Sequence, residues 1–283
     1  MSLGKEELDI FSKLSPAFKV VFDVGSRDDI DYFEIKKDCE YHLFEPNLKA
    51  IASLKKKISE LGSHRIILNE FGLSDKNKDD CVYYSNVQSF IPHWNTASFD
   101  TGERFSLRKL DDYVDSQEIS FIDFLKIDVE GMDYQVILGG TNTIKNKNKI
   151  SFIQIECSGG CRQYVELLSN FTFYLMMEPK LLELINTIND TKTDFNKSLV
   201  KLDDWVINLL DKKLSKTGGV ANILGVNKNI DFSSMIQEKY LVSNVIDKNK
   251  PYGKCMRLYF AGLYLIKGWY RQIRKTIKTF LFA

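Results

Sequence analysis

Short apolar runs alternate with amphipathic stretches along much of this chain, and that alternation restricts it to a small set of folds. Residues 20–24, 41–44, 66–68, 121–129 and 150–155 each read as a buried strand bounded by turn residues. Strands that are apolar on both faces belong to parallel sheets covered by helices on both sides. Between the second and third runs, Leu48, Ile51, Leu54, Ile58 and Leu61 recur at steps of three and four with Lys55, Lys56 and Lys57 among them, the pattern of an amphipathic helix. Units of strand, helix and strand predict an α/β, doubly wound fold, whose ligands bind beyond the carboxyl ends of the strands near the point where strand order reverses. Residues 171–177 and 205–210 read as two further strands, an antiparallel hairpin at the sheet edge. Beyond them the chain reads as a connector followed by helical patterns. This divides it into a helical lead-in (1–17), an α/β domain (18–210) and a helical extension (211–283).

Composition narrows the function classes. With 283 residues, 44% hydrophobic and 27% charged, the chain has ordinary globular usage, and five Pro with sixteen Gly exclude collagen-like or low-complexity architecture. Thirty-nine basic and 38 acidic residues nearly cancel, so no global field favours nucleic acid as a partner. Five cysteines, Cys39, Cys81, Cys157, Cys161 and Cys255, form no CxxC pair and suggest reduced thiols in a cytoplasm rather than a disulfide framework. The charged N-terminus lacks a secretory apolar stretch, and the longest apolar run, 258–266, falls short of the roughly 18 residues of a membrane span. A cytoplasmic protein is the expectation.

The residues suited to chemistry gather at the strand ends. The first run closes on Asp23-Val24-Gly25, followed by Ser26-Arg27-Asp28-Asp29 where a dinucleotide fold continues with further glycines, so a full GxGxxG is absent. Glu45, in Tyr41-His42-Leu43-Phe44-Glu45-Pro46, follows Asp23 by 22 residues and stands at the carboxyl end of the second strand, which Pro46 stops. A carboxylate there accepts hydrogen bonds from both hydroxyls of a ribose and marks a nucleotide site. The fourth run carries charges foreign to a buried parallel strand. With a side-chain period of two, Lys126, Asp128 and Glu130 share one face of a strand that continues that far, and Gln154 and Glu156 repeat the pattern on the fifth. This predicts a lysine and several carboxylates around one crevice, a structural ion pair of Lys126 being the simpler alternative.

In order and spacing, Asp23-Val24-Gly25, Phe44-Glu45-Pro46, Leu73-Ser74-Asp75, Lys109-Leu110-Asp111-Asp112, Phe124-Leu125-Lys126-Ile127-Asp128-Val129-Glu130-Gly131-Met132 and Ile153-Gln154-Ile155-Glu156 resemble the FkbM-type methyltransferases, over residues 18–210. The resemblance implies a Rossmann-like, class I S-adenosylmethionine-dependent methyltransferase with a seven-strand mixed sheet, acting on hydroxyls of sugars or of glycosylated and polyketide natural products. It carries cofactor binding onto Asp23, Gly25 and Ser26 of the first loop, Glu45 and Pro46 at the ribose, and Ser74 and Asp75 near adenine, and it puts Asp128 and Glu130 nearest the transferred methyl. Asp29 departs from the pattern, standing where the family usually has a second glycine, and residues 30–37 leave room for only a short helix. A donor without a pyrophosphate asks for less intimate backbone approach than a dinucleotide does.

Methyl transfer from a sulfonium needs an acceptor oxygen in line with carbon and sulfur, and a base within about 2.6–3.2 Å of the hydroxyl to take its proton. Asp128 is the first candidate base, Glu130 the second, and His93, in Ile91-Pro92-His93-Trp94, the third. In another scheme Asp128 and Glu156 hold a divalent cation that binds and acidifies the acceptor; both schemes stand at this point. Lys126 and Glu156 are candidates for substrate contact. Among Tyr83, Tyr84, Phe90, Trp94 and Phe99, Trp94 is the foremost platform for a sugar ring. The loop Cys157-Ser158-Gly159-Gly160-Cys161 follows Glu156 at the active edge, without a histidine to suggest zinc.

From 251 to 283 there are seven basic residues, eight aromatics and no acidic residue. On a helix, Leu265, Trp269, Ile273, Ile277 and Leu281 form one stripe and Lys267, Arg271, Arg274, Lys275 and Lys278 another. Such a helix suits peripheral contact at the inner face of a membrane, beside a small-molecule or lipid-linked glycan acceptor, and equally suits packing on the catalytic domain or a homodimer. Two rival functions remain: a nicotinamide-dependent oxidoreductase, and a degenerate methyltransferase-fold module that docks a glycan or membrane complex without turnover, for which Asp29 is the main support.

Overall fold

A computed structural model describes residues 5–84, 100–176, 199–217, 220–236 and 241–242. α1 (Lys5–Leu14) and a 3-10 turn (Ser15–Ala17) lead into β1 (Val20–Val24), α2 (Asp31–Ile35), β2 (Glu40–Phe44), α3 (Leu48–Leu61) and β3 (Ile66–Asn69). β4 (Gly72–Leu73), β5 (Lys78–Tyr84), β6 (Asp100–Arg108) and α4 (Leu110–Ser116) follow. Next come β7 (Ile122–Ile127), α5 (Asp133–Gly139), α6 (Thr141–Lys145), β8 (Ile150–Ser158), α7 (Arg162–Leu167) and β9 (Phe171–Met176). β10 (Leu199–Lys201), α8 (Asp204–Thr217), β11 (Val220–Asn227), α9 (Phe232–Met235) and β12 (Leu241–Val242) close the described chain.

The main sheet has the order β12-β10-β9-β11-β8-β7-β1-β2-β3, and β4-β6-β5 form a small second sheet. From β3 to β8 all pairings are parallel, with β1 between β2 and β7. β11 runs antiparallel to both β8 and β9. The seven strands β3-β2-β1-β7-β8-β11-β9 form the doubly wound, Rossmann-like mixed sheet expected, and β10 and β12 lengthen one edge.

Period-two alternation divides each central strand between two cores. Val21, Phe124, Phe152 and Leu224 face Phe11 and Leu14 of α1 and Tyr32 of α2. Phe22, Leu125, Ile153 and Ile223 face Val114, Val136, Tyr164 and Leu210 of the helices opposite. Both faces are therefore covered, which is why the strands read as continuous apolar runs. The Asn47 side chain caps α3 by accepting from the Lys49 and Ala50 amides, and Gly62 ends it in a left-handed conformation at φ 59°.

Three expectations are corrected. Residues 205–210 lie in α8, not in an edge strand: Val206, Ile207, Leu210 and Leu214 are buried at helical spacing, and Asp203 accepts from the Val206 amide at 2.9 Å. The sheet does not end before residue 211, because β11 inserts between β8 and β9 and makes residues 220–227 part of the α/β domain rather than of an appended extension. β7 stops at Ile127, and Glu130 takes a left-handed φ of 54°, so Glu130 does not continue the face of Lys126. The aromatic segment with Phe90, His93, Trp94 and Phe99, the basic stripe from 251 onward, and the Tyr83 and Tyr84 side chains lie outside what is described. Among the described residues no helix is long and apolar enough to cross a membrane.

Candidate active site

At the carboxyl ends of β1, β2 and β7, where strand order reverses about β1, a cavity of about 780 Å³ opens. Ligand sites range over roughly 300–1,000 Å³. Its lining includes Gly25, Arg27, Glu45, Pro46, Ser74, Asp75, Asp128 and Glu130.

Gly25 turns the chain out of β1 at φ 83°, and a Cβ there would collide with the Asp128 carbonyl oxygen. The absent side chain lets the β1 loop lie on the β7 loop, and the Asp128 amide donates to the Val24 carbonyl at 3.0 Å. Glu45 is 5% exposed, and its two carboxylate oxygens each accept one backbone amide: Arg27 N at 2.8 Å and Asn47 N at 2.8 Å. Burial raises its pKa, against these two hydrogen bonds. Each oxygen retains acceptor capacity, so the carboxylate is fixed in orientation yet able to accept from a vicinal diol.

Beneath the loop, Lys126 is 3% exposed. Its Nζ lies 3.1 Å from Asp23 Oδ1 and 3.5 Å from Asp128 Oδ2, and donates to the Gly25 carbonyl at 3.2 Å. Burial works against this charge, but the two carboxylates outweigh it and hold the ammonium protonated. Neither Asp23 nor Lys126 lines the cavity; together they brace the β1 loop against β7. On the far side, Asp133 accepts from the Val129 and Gly131 amides at 3.0 and 3.1 Å and so shapes the loop carrying Asp128 and Glu130. Burial pushes the Asp133 carboxyl up to about 7.

The other anticipated residues divide. Ser74 is 1% exposed and donates to Asp75 Oδ1 at 3.0 Å, placing the β4 turn on the cavity wall. Ser26 does not line the cavity, but its buried hydroxyl has no hydrogen-bond partner, an arrangement native proteins seldom leave without a ligand or water. Glu156, on β8 opposite Asn222, does not line the cavity; its carboxyl is pushed up to about 8 by burial, with Asp128, Asp133 and Glu130 adding repulsion. Among the described residues no group of three or more His, Cys, Asp or Glu has an arrangement that could hold a metal ion. Asp29 is pushed up to about 6 by burial and by neighbouring Asp23 and Asp31, and it does not line the cavity.

Sequence reading passes over Arg27 and Met132, both of which line the cavity. Arg27 Nη1 pairs with Glu130 Oε1 at 3.3 Å, linking the β1 loop to the β7 loop. Arg27 also has a left-handed backbone, φ 56°. No sequence signal marks such a conformation at an arginine.

A Rossmann-like sheet with a switch-point cavity and an oriented carboxylate at the end of β2 is the fold of class I methyltransferases. The chain belongs to the Methyltransferase FkbM domain family, which matches residues 23–177. It is 25% identical over 173 residues to the 2-O-methyltransferase NoeI of Sinorhizobium fredii, covering 54% of this chain and 69% of that protein. Among solved structures it is similar to methyltransferase FkbM from Methylobacillus flagellatus, with 14% identity and a TM-score of 0.42 over 59% of this chain and 44% of that one. It is also similar to precorrin-6y C5,15-methyltransferase from Geobacter metallireducens, with 12% identity and a TM-score of 0.39 over 79% and 88%. The chain thus spans less than half of the first of these structures. Family membership implies S-adenosylmethionine as donor and displaces the nicotinamide alternative.

The residues present fit that donor. A buried carboxylate at Glu45 with acceptor capacity to spare and side chains of both signs on one cavity suit a molecule that joins a ribose, a cation and an amino acid.

Proposed function

We propose that this protein transfers the methyl group of S-adenosylmethionine to a hydroxyl of a sugar or glycan. The observation that carries the donor site is Glu45, a buried carboxylate held by two backbone amides at the strand end where a ribose binds. The likeness to NoeI, a 2-O-methyltransferase, supports oxygen as the methylated atom. The sugar class follows from the resemblance of the motifs.

When bound, the donor supplies a methyl group already activated on a sulfonium. Glu45 would accept from the ribose hydroxyls, and Ser74 and Asp75, which line the same cavity, would meet the base. Asp128, ion-paired to Lys126 and facing the cavity, takes the proton of the acceptor hydroxyl as the oxygen–carbon bond forms. Cleavage of the carbon–sulfur bond would leave its electron pair on the donor's sulfur, as a neutral thioether. Lys126 and Asp23 position this machinery from below rather than touching the substrate.

The test is a transfer assay with methyl-labelled donor and a panel of mono- and oligosaccharides, amines and thiols. Label in an alkali-stable methyl ether supports the proposal. Label that enters only amine or thiol acceptors overturns it. Glu45→Ala is expected to weaken binding of S-adenosylhomocysteine about tenfold or more, a loss of about 1.4 kcal/mol, as read by calorimetry. Unchanged affinity removes Glu45 from the site.

A further inference from the structure

We propose that Arg27 receives the α-carboxylate of the cofactor's methionyl group in exchange for Glu130, so that cofactor binding itself releases Glu130 into the cavity. The inference rests on the donor reading above. Arg27 enters the cavity from the loop after β1 and Glu130 from the loop after β7, and their side chains meet at 3.3 Å. The pair is partly exposed, with side-chain accessibilities of 32% and 40%. Ion pairs this open to solvent are weak and exchange readily for a better partner. A guanidinium offers two parallel donors, and a ligand carboxylate oriented by its own ribose and base is a better partner than a glutamate on a flexible stem.

Both backbones are fixed independently of that pair. The Arg27 amide donates to Glu45 Oε2, and Asp133 holds the Val129 and Gly131 amides on either side of Glu130. Both residues have left-handed φ values, 56° and 54°. Two non-glycine residues in that conformation, facing each other across a cavity, are strained positions maintained by their surroundings, as switch and ligand-clamp residues commonly are. The side chains can therefore change partner while the loops stay in place. The same carboxylate that anchors the methionyl end frees Glu130, and a second acidic side chain then stands with Asp128 on the wall that meets the acceptor.

The test compares two ligands by calorimetry: S-adenosylhomocysteine, and 5′-methylthioadenosine, which keeps the ribose, base and thioether but lacks the amino acid. Arg27→Asn is chosen because asparagine tolerates the left-handed region. It is expected to weaken S-adenosylhomocysteine about tenfold or more while leaving methylthioadenosine within about twofold. Glu130→Gln removes the internal competitor and is expected to tighten S-adenosylhomocysteine several-fold, again without effect on methylthioadenosine. Equal losses for both ligands, or no change in either variant, overturn the exchange while leaving the donor site intact. Wild-type protein that binds neither ligand overturns the donor reading and the exchange together.

Discussion

Asp128→Asn is expected to lower methyl transfer about 10²–10⁴-fold, the range attributed to a positioned general base, while S-adenosylhomocysteine binding stays within about threefold of wild type. The separation follows from what Asp128 contributes at each atom. Its backbone carbonyl meets the β1 loop at Gly25 and its amide donates to Val24, and both survive the substitution. Asp128 lines the cavity with a side chain 29% exposed, and only its carboxylate can accept a proton. Lys126 keeps Asp23 at 3.1 Å and the Gly25 carbonyl at 3.2 Å, so the variant does not strand a buried charge. Single-turnover transfer and calorimetric titration on the same preparation check both halves. A variant that transfers at the wild-type rate removes Asp128 from proton transfer, and Glu130→Gln becomes the next test.

Lys126→Met is expected to destabilise the fold by about 3–5 kcal/mol, the cost of removing one partner from a buried ion pair. Asp23 has a side chain only 3% exposed and would be left without a counter-ion under the cofactor loop. Since domains are stable by only about 5–15 kcal/mol, the shift in the urea midpoint should be large. The double variant Asp23→Leu with Lys126→Met replaces both charges by apolar groups and is expected to recover much of the loss. A single variant that unfolds at the wild-type midpoint would show that the pair does not brace the two strands. Cofactor affinity should fall in the single variant because the Gly25 carbonyl loses its donor, which separates a positioning role from mere stability.

Much of this architecture is legible in the sequence, because parallel strands buried on both faces must be apolar throughout. Residues 20–24 and 150–155 could scarcely do anything else. β11 escapes the same reading for a physical reason. Its run is broken by Asn222, Gly225 and Asn227, and the structure satisfies each locally: Glu7 accepts from Asn222, the Ile153 and Phe173 side chains crowd over Gly225, and Asn227 donates to the carbonyls of Lys147 and Ile150. Residues 205–210 mislead in the opposite direction, since a six-residue stretch with five apolar residues fits a strand as well as one face of a helix. In the site, Glu45 is legible because Pro46 fixes the strand end beside it. Lys126 is visible as an anomaly, but Asp23 on β1 and the Gly25 carbonyl just after it reach Lys126 only because the fold pairs β1 with β7. The pairing of Arg27 with Glu130 depends on two left-handed residues and leaves no mark in composition or spacing.

The most direct test of the central claim, a donor site at the β1–β2 crevice, is calorimetric titration of the folded protein with S-adenosylmethionine and S-adenosylhomocysteine, with NAD as control. Micromolar binding of the adenosyl compounds and none of NAD is the predicted result. Folded protein that binds none of the three would contradict the account and favour a methyltransferase-fold module that works without turnover.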